Sequence, residues 1–131
     1  LVLTGHDSMA KDVEDYKDIN NYRNSKYFVE SVKKAREFNA SLDDLVIFAG
    51  ACQSNYEALI EAGANYASSP ERVLIHALDP ILLGEKIACI HIATVISPAQ
   101  IINHPITGKK GIGGLETRGK LRQGLPSSSY E

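Results

Sequence analysis

Tryptophan is absent from this 131-residue chain, cysteine occurs twice and methionine once. Two cysteines cannot build a disulfide scaffold, and without a dense Cys pattern a Cys-rich zinc domain is excluded as well. Long apolar runs are also missing. The longest, residues 73–96, is broken by His76, Asp79, Pro80, Gly84, Glu85, Lys86 and His91, so no window suits a transmembrane helix. Nor is there an excess of positive charge. Fourteen Lys+Arg against 16 Asp+Glu give a net −2, which argues against a nucleic-acid binder. What is present, 44% hydrophobic and 23% charged residues, is the balance of one ordinary globular domain rather than of disorder or a collagen-like repeat.

The chain opens on Leu1-Val2-Leu3, an apolar strand pattern with no methionine and no signal peptide. We therefore expect a fragment of a longer protein that lacks its N-terminal strands, with an open sheet edge at residues 1–4 available for self-association. Charge divides the sequence. Residues 1–104 carry nine Lys/Arg and fourteen Asp/Glu, whereas residues 105–131 carry five and two and contain six glycines. The expected organisation is an acidic globular body over 1–104 followed by a basic, glycine-rich loop and tail over 105–131, frayed at its Pro126–Ser129 end.

Residues 1–4 and Leu45–Ala49 read as buried strands, and Asn65–Ser68 as a third. Asn24 stands where it would cap a helix running to Phe38, with Phe28, Val32 and Ala35 on one face. The Ser54–Glu57 spacing is that of a capping box before a helix over 55–62 that stops at Gly63. Ser69-Pro70, Asp79-Pro80 and Ser97-Pro98 each read as a cap followed by proline at the first helical position. Residues 73–78 are ambiguous between helix and strand. Strand, helix, strand, helix, strand, then helices predicts an α/β fold, a mostly parallel sheet with flanking helices.

In such a sheet, strands joined by one crossover helix are commonly neighbours, and ligands bind at their carboxyl ends. The first strand ends in Thr4-Gly-His-Asp7 and the second in Ala49-Gly-Ala-Cys-Gln-Ser54. His6 and Cys52 would then share one edge. The helix expected after Ser54 would favour the thiolate form of Cys52 through its dipole, His6 would take the thiol proton, and backbone N–H groups near Cys52 would receive an oxyanion. The plain alternative is that a cysteine among small residues packs as a small hydrophobe.

Two other patterns carry less. Gly114–Leu121 fits a phosphate loop except at its last position, where Leu121 replaces the magnesium-binding hydroxyl, and neither a strand before it nor a helix after it is expected. It reads instead as a loop whose glycines permit turns, or as a basic segment for an acidic partner. His76, His91 and His104 lack metal-ligand spacing, so no metal is expected. Cys89, in Lys-Ile-Ala-Cys-Ile, reads as inert, and His76 as a core or active-edge histidine.

A histidine and an Ala-Cys pair 46 residues apart resemble the caspase-like cysteine peptidases, although Gln53 is not followed by their glycine-containing pattern and Asp7 stands where they carry glycine after the histidine. The segments Thr4–Asp7, Tyr22–Val29, Leu42–Ser54, Ala67–Pro70, Val73–Pro80 and Gly108–Gly124 resemble the YabG family of sporulation-specific proteases over nearly the whole chain. That resemblance implies a caspase-like three-layer architecture and the C-terminal, catalytic part of a longer protein. It implies a cysteine endopeptidase of the mother-cell cytoplasm and spore coat that processes coat and other sporulation proteins, with Cys52 as nucleophile, His6 as general base and no cofactor. Cleavage after basic residues, arginine especially, is implied as well. A pocket for arginine wants a carboxylate, for which Asp7, Asp43, Asp44 and Asp79 are the candidates, Asp43 and Asp44 at the far end of their strand. Asp7, Gly50, Ala51, Gln53, Ser68, Ser69 and Asp79 are thus the expected oxyanion and substrate-binding residues. A non-catalytic scaffolding domain of the spore coat is the alternative function.

Overall fold

A computed structural model of the chain describes residues 1–103, 105–124 and 128–130; His104, Pro126 and Ser127, which figure in the expectations above, lie outside these. The central sheet has four short strands: β1 (Val2–Leu3), β2 (Phe48–Ala49), β3 (Tyr66–Ala67) and β5 (Gly113–Gly114), in that spatial order. The first three are parallel, with Val2 beside Phe48 and Phe48 beside Tyr66, and β5 is antiparallel to β3. Between them run α1 (Ser25–Phe38) and α2 (Tyr56–Ala62), then α3 (Asp79–Ala88) and α4 (Pro98–Ile102). A second, two-stranded antiparallel sheet pairs β4 (Val95–Ile96) with β6 (Thr117–Arg118).

The α/β reading with a mostly parallel sheet holds, and alternation along β2 shows why both faces are covered. Ile47 and Ala49 point into one core with Val32 of α1 and Leu59 of α2. Phe48 points into the other, with Leu83 and Ile87 of α3, Ile101 of α4, Ile96 and Ile112. Each large side chain so buried contributes roughly 1.5–3 kcal/mol. Arg36 fastens the ends of the first layer to the sheet: its guanidinium donates to the carbonyls of Gly63 (2.7 Å) and Leu45 (2.8 Å) and to Asn65 Oδ1 (2.7 Å).

Several local expectations are corrected. Asn55, not Ser54, caps α2, its Oδ1 accepting from Ala58 N–H, because the Ser54 hydroxyl is engaged elsewhere. Ser69-Pro70 starts no helix; Pro70 and Glu71 form a turn, and Arg72 after them takes φ +53°. Leu78 caps α3, and Asp79 is its first residue. Residues 73–76 belong to no helix or strand. The segment upstream of Gly114, read as unlike a strand, supplies β5. The phosphate-loop pattern spans β5 and β6 with no helix after it among the described residues.

Candidate active site

The parallel pairing of β1 with β2 brings Thr4–Asp7 and Gly50–Ser54 to one end of the sheet. His6 and Cys52 line the same cleft, of about 350 Å3, together with Thr4, Gly5, Ala51, Ile75, Ala77 and Pro80. His6 is exposed and Cys52 half-buried, while Cys89 lies exposed at the end of α3, away from this cleft. The convergence expected from two strand ends is therefore present.

The environment of the sulfur differs from the expectation. α2 begins four residues beyond Cys52, and the N–H that meets the sulfur comes from another segment. Ile75 N–H donates to Cys52 Sγ (3.4 Å), and the thiol donates to the Ile75 carbonyl (3.6 Å). Beside it Gln53 N–H donates to the Val73 carbonyl (3.1 Å). Ser69 Oγ holds the same segment, accepting from Val73 N–H (2.8 Å) and donating to its carbonyl (3.0 Å). Residues 73–77 thus form a wall of the site, one that their ambiguous sequence pattern did not reveal.

The remaining expected residues shape the loop from within. Gly50 has φ +112°, and a Cβ there would stand 2.5 Å from Ser68 Oγ, so glycine is required by both backbone and space. Ser68 is buried and donates from its hydroxyl to the Ala51 carbonyl (2.6 Å). Ala51 N–H donates to Ser54 Oγ (2.9 Å), so the N–H groups of Ala51 and Gln53 are committed, whereas those of Cys52 and Asp7 donate to no other group among the described residues. Gln53, at φ +56°, accepts on Oε1 from Met9 N–H at 3.5 Å.

The carboxylates proposed for a basic pocket are placed differently from one another. Asp79 is fully buried and accepts from the N–H groups of Ile106 (2.7 Å), His76 (3.2 Å) and Thr107 (3.2 Å) and from the Thr107 hydroxyl. Asp7 likewise holds four donors of its own chain. A carboxylate offers about four lone-pair sites; those of Asp7 are all taken, and Asp79 is fully buried among its donors, so neither is open to a substrate guanidinium. Asp43 and Asp44 lie at the opposite end of β2, where Asp43 faces Arg118 at 3.7 Å. Among the described residues, none lining the His6–Cys52 cleft is acidic. Glu57, Glu61 and Glu71, not singled out from sequence as pocket carboxylates, line separate grooves flanking Arg72. Among the described residues no group of three or more His, Cys, Asp or Glu could hold a metal ion, and no helix is long and apolar enough to cross a membrane. His76 is exposed and accepts on Nδ1 from Leu78 N–H (3.1 Å).

Comparison with known proteins follows the same residues. Residues 1–126 match the family described as YabG peptidase U57. The chain belongs to the YabG family. It is 52% identical over 129 residues to the sporulation-specific protease YabG of Bacillus subtilis (strain 168), an alignment that covers 98% of this chain and 44% of that relative. The chain thus spans less than half the length of the family member it matches. No solved structure matches it.

Proposed function

We propose that this chain is the catalytic part of a cysteine endopeptidase acting in spore formation, with Cys52 as nucleophile and His6 as general base and acid. The observation that carries the reading is the shared cleft: two residues 46 positions apart meet at the ends of adjacent parallel strands. His6 takes the Cys52 proton, and the sulfur attacks the substrate carbonyl carbon. The resulting oxyanion is received by the N–H groups of Cys52 and Asp7, which have no other acceptor among the described residues. His6 then protonates the departing amine, leaving an acyl-enzyme, and activates the water that hydrolyses it. The Ile75 N–H supports negative charge on sulfur throughout.

The parallel order of β1, β2 and β3, with helices on both faces and the two reacting residues at neighbouring strand ends, supports a caspase-like, three-layer arrangement. The name of the Bacillus relative supports a sporulation setting. We assign coat and other sporulation proteins as substrates, cut after arginine, and the mother-cell cytoplasm and spore coat as the place of action.

Cys52→Ala and His6→Ala are each expected to abolish cleavage of an arginine-containing coat-protein substrate while leaving the circular dichroism spectrum and melting temperature close to wild type. Normal cleavage by either folded variant refutes the dyad, and absence of cleavage by the folded wild-type chain favours the scaffolding function.

A further inference from the structure

Asp7 follows His6 directly, yet its side chain turns away from the cleft and into the protein, where it is 8% exposed. Its four hydrogen bonds reach both loops of the site. Oδ1 accepts from Ser8 N–H (2.8 Å) and from Asn24 N–H (2.8 Å) at the start of α1. Oδ2 accepts from the hydroxyls of Ser25 (2.5 Å) and Ser54 (2.8 Å). Each serine passes the link on: Ser54 Oγ accepts from Ala51 N–H (2.9 Å) and Ser25 Oγ from Asn55 N–H (2.9 Å). The peptide on the N-terminal side of Cys52 and the one three residues after it are thus both tethered to the carboxylate beside His6. Asn24 closes the circuit by donating from Nδ2 to the His6 carbonyl (2.7 Å).

We propose that the Asp7 carboxylate is the positioning group of the dyad, setting the register between the His6 imidazole and the Cys52 thiol through Ser25 and Ser54; unlike the Asp7 N–H, the carboxylate does not touch substrate. This rests on the dyad assignment above. The donor count dictates the chemistry. Four donors need four lone pairs, which an ionised carboxylate has and a carboxamide lacks. Acceptance by Asp7 also fixes the direction of both hydroxyls, freeing their lone pairs for Ala51 and Asn55. In Asp7→Asn the shape is kept, but the NH2 can face only the two serines, since the Ser8 and Asn24 N–H groups cannot accept. Both hydroxyls must then accept from the amide instead of donating to a carboxylate, which reverses the two serine links, orphans both buried hydroxyl protons and removes the charge that held the tether.

The test measures kcat, KM and melting temperature for Asp7→Asn, Ser54→Ala and Ser25→Ala in the purified protein, well below each variant's melting temperature. Asp7→Asn is expected to lower kcat about 100-fold, the scale set by an ångström of misplacement, with KM near wild type. Ser54→Ala and Ser25→Ala, which each cut one branch, are expected to fall between it and wild type. Should Asp7→Asn fail to fold, the two serine variants decide. Wild-type kcat in folded Asp7→Asn, or in both serine variants, overturns the proposal, because a purely structural link would lower the melting temperature alone. Activity retained by Cys52→Ala would instead refute the dyad, a separate result.

Discussion

Gly50→Ala tests the geometry of the nucleophile loop most directly. At φ +112° an L side chain is strained, at a cost of about 1–3 kcal/mol for a sparsely populated backbone region. The new Cβ would also lie 2.5 Å from Ser68 Oγ, 2.9 Å from Leu59 Cδ1 and 3.2 Å from the Ser68 carbonyl oxygen. Ser68 and Leu59 are fully buried, so relief requires moving packed atoms, at about 1–3 kcal/mol more. The sum, roughly 2–6 kcal/mol, corresponds for a domain of this size to a melting temperature lower by roughly 6–30 °C. Gly108 supplies the control. Its φ is +69° with no atom within 4 Å of a built Cβ, so Gly108→Ala carries the backbone term alone, about 1–2 kcal/mol.

The same contact predicts a coupling. Ser68→Ala removes the atom that the methyl added in Gly50→Ala would strike, but also the hydroxyl that donates to the Ala51 carbonyl, so alone it costs about 1–3 kcal/mol. In the Gly50→Ala background it should cost less, because it relieves the worst overlap. Thermal and urea unfolding of wild type, the two single variants and the double variant, with peptidase activity assayed alongside, check this. Equal destabilisation by Gly50→Ala and Gly108→Ala would refute the steric argument, and additive costs in the double variant would refute the specific role of Ser68.

Two further outcomes follow from charge and burial. Arg72 pairs with Glu57 at 2.5 Å, but its side chain is 10% exposed against 67% for Glu57, and it also donates to Tyr22 Oη (2.7 Å) and the Ser69 carbonyl (3.2 Å). Arg72→Ala should therefore cost about 2–3 kcal/mol and Glu57→Ala about 0.5 kcal/mol in urea unfolding, and equal costs would contradict this ordering. Burial pushes the phenols of Tyr66 and Tyr56 up, with the Glu57 charge adding to the rise at Tyr56. A folded-state value above the unfolded one gives stability that is complete below about pH 10 and lost as pH rises beyond it. An absorbance titration should show these two ionising above the ordinary tyrosine range, with stability falling over the same range.

The parts of this molecule legible in its sequence are those where local pattern and packing agree. α1 keeps the boundary given by Asn24 and Phe38 because its apolar stripe faces the core it was expected to face. The strand cores were readable because residues covered on both faces need no alternation. β5 was not. Paired glycines have low strand propensity, yet a Cβ at Gly113 would meet Tyr56 Oη at 2.8 Å and one at Gly114 would overlap Tyr66 Cδ1. The composition that signals a loop is here what lets two tyrosines pack against an edge strand. Ser54 misled in the same way. Its spacing suits a cap, but a buried carboxylate with lone pairs to fill draws its hydroxyl across the site, and the neighbouring Asn55 takes the cap instead.

The wall at residues 73–77 shows why His6 and Cys52 stand out in the sequence as candidates while the environment of Cys52 does not. A candidate nucleophile or base is a particular side chain, so it leaves a trace in residue identity. The groups that meet the sulfur are the N–H and C=O of Ile75, and every residue except proline supplies both. What selects that segment is its path, fixed two residues earlier where Val73 exchanges hydrogen bonds with the Ser69 side chain and accepts from Gln53 N–H. The informative residues are therefore Ser69 and Gln53, which hold the path, while the group at the sulfur is anonymous. Gln53, beside Cys52 in sequence, and Ser69, in the small-residue run 67–69, were both expected among the oxyanion and substrate-binding residues. In the structure their hydrogen bonds run to Val73 and set the path of the backbone at the thiol.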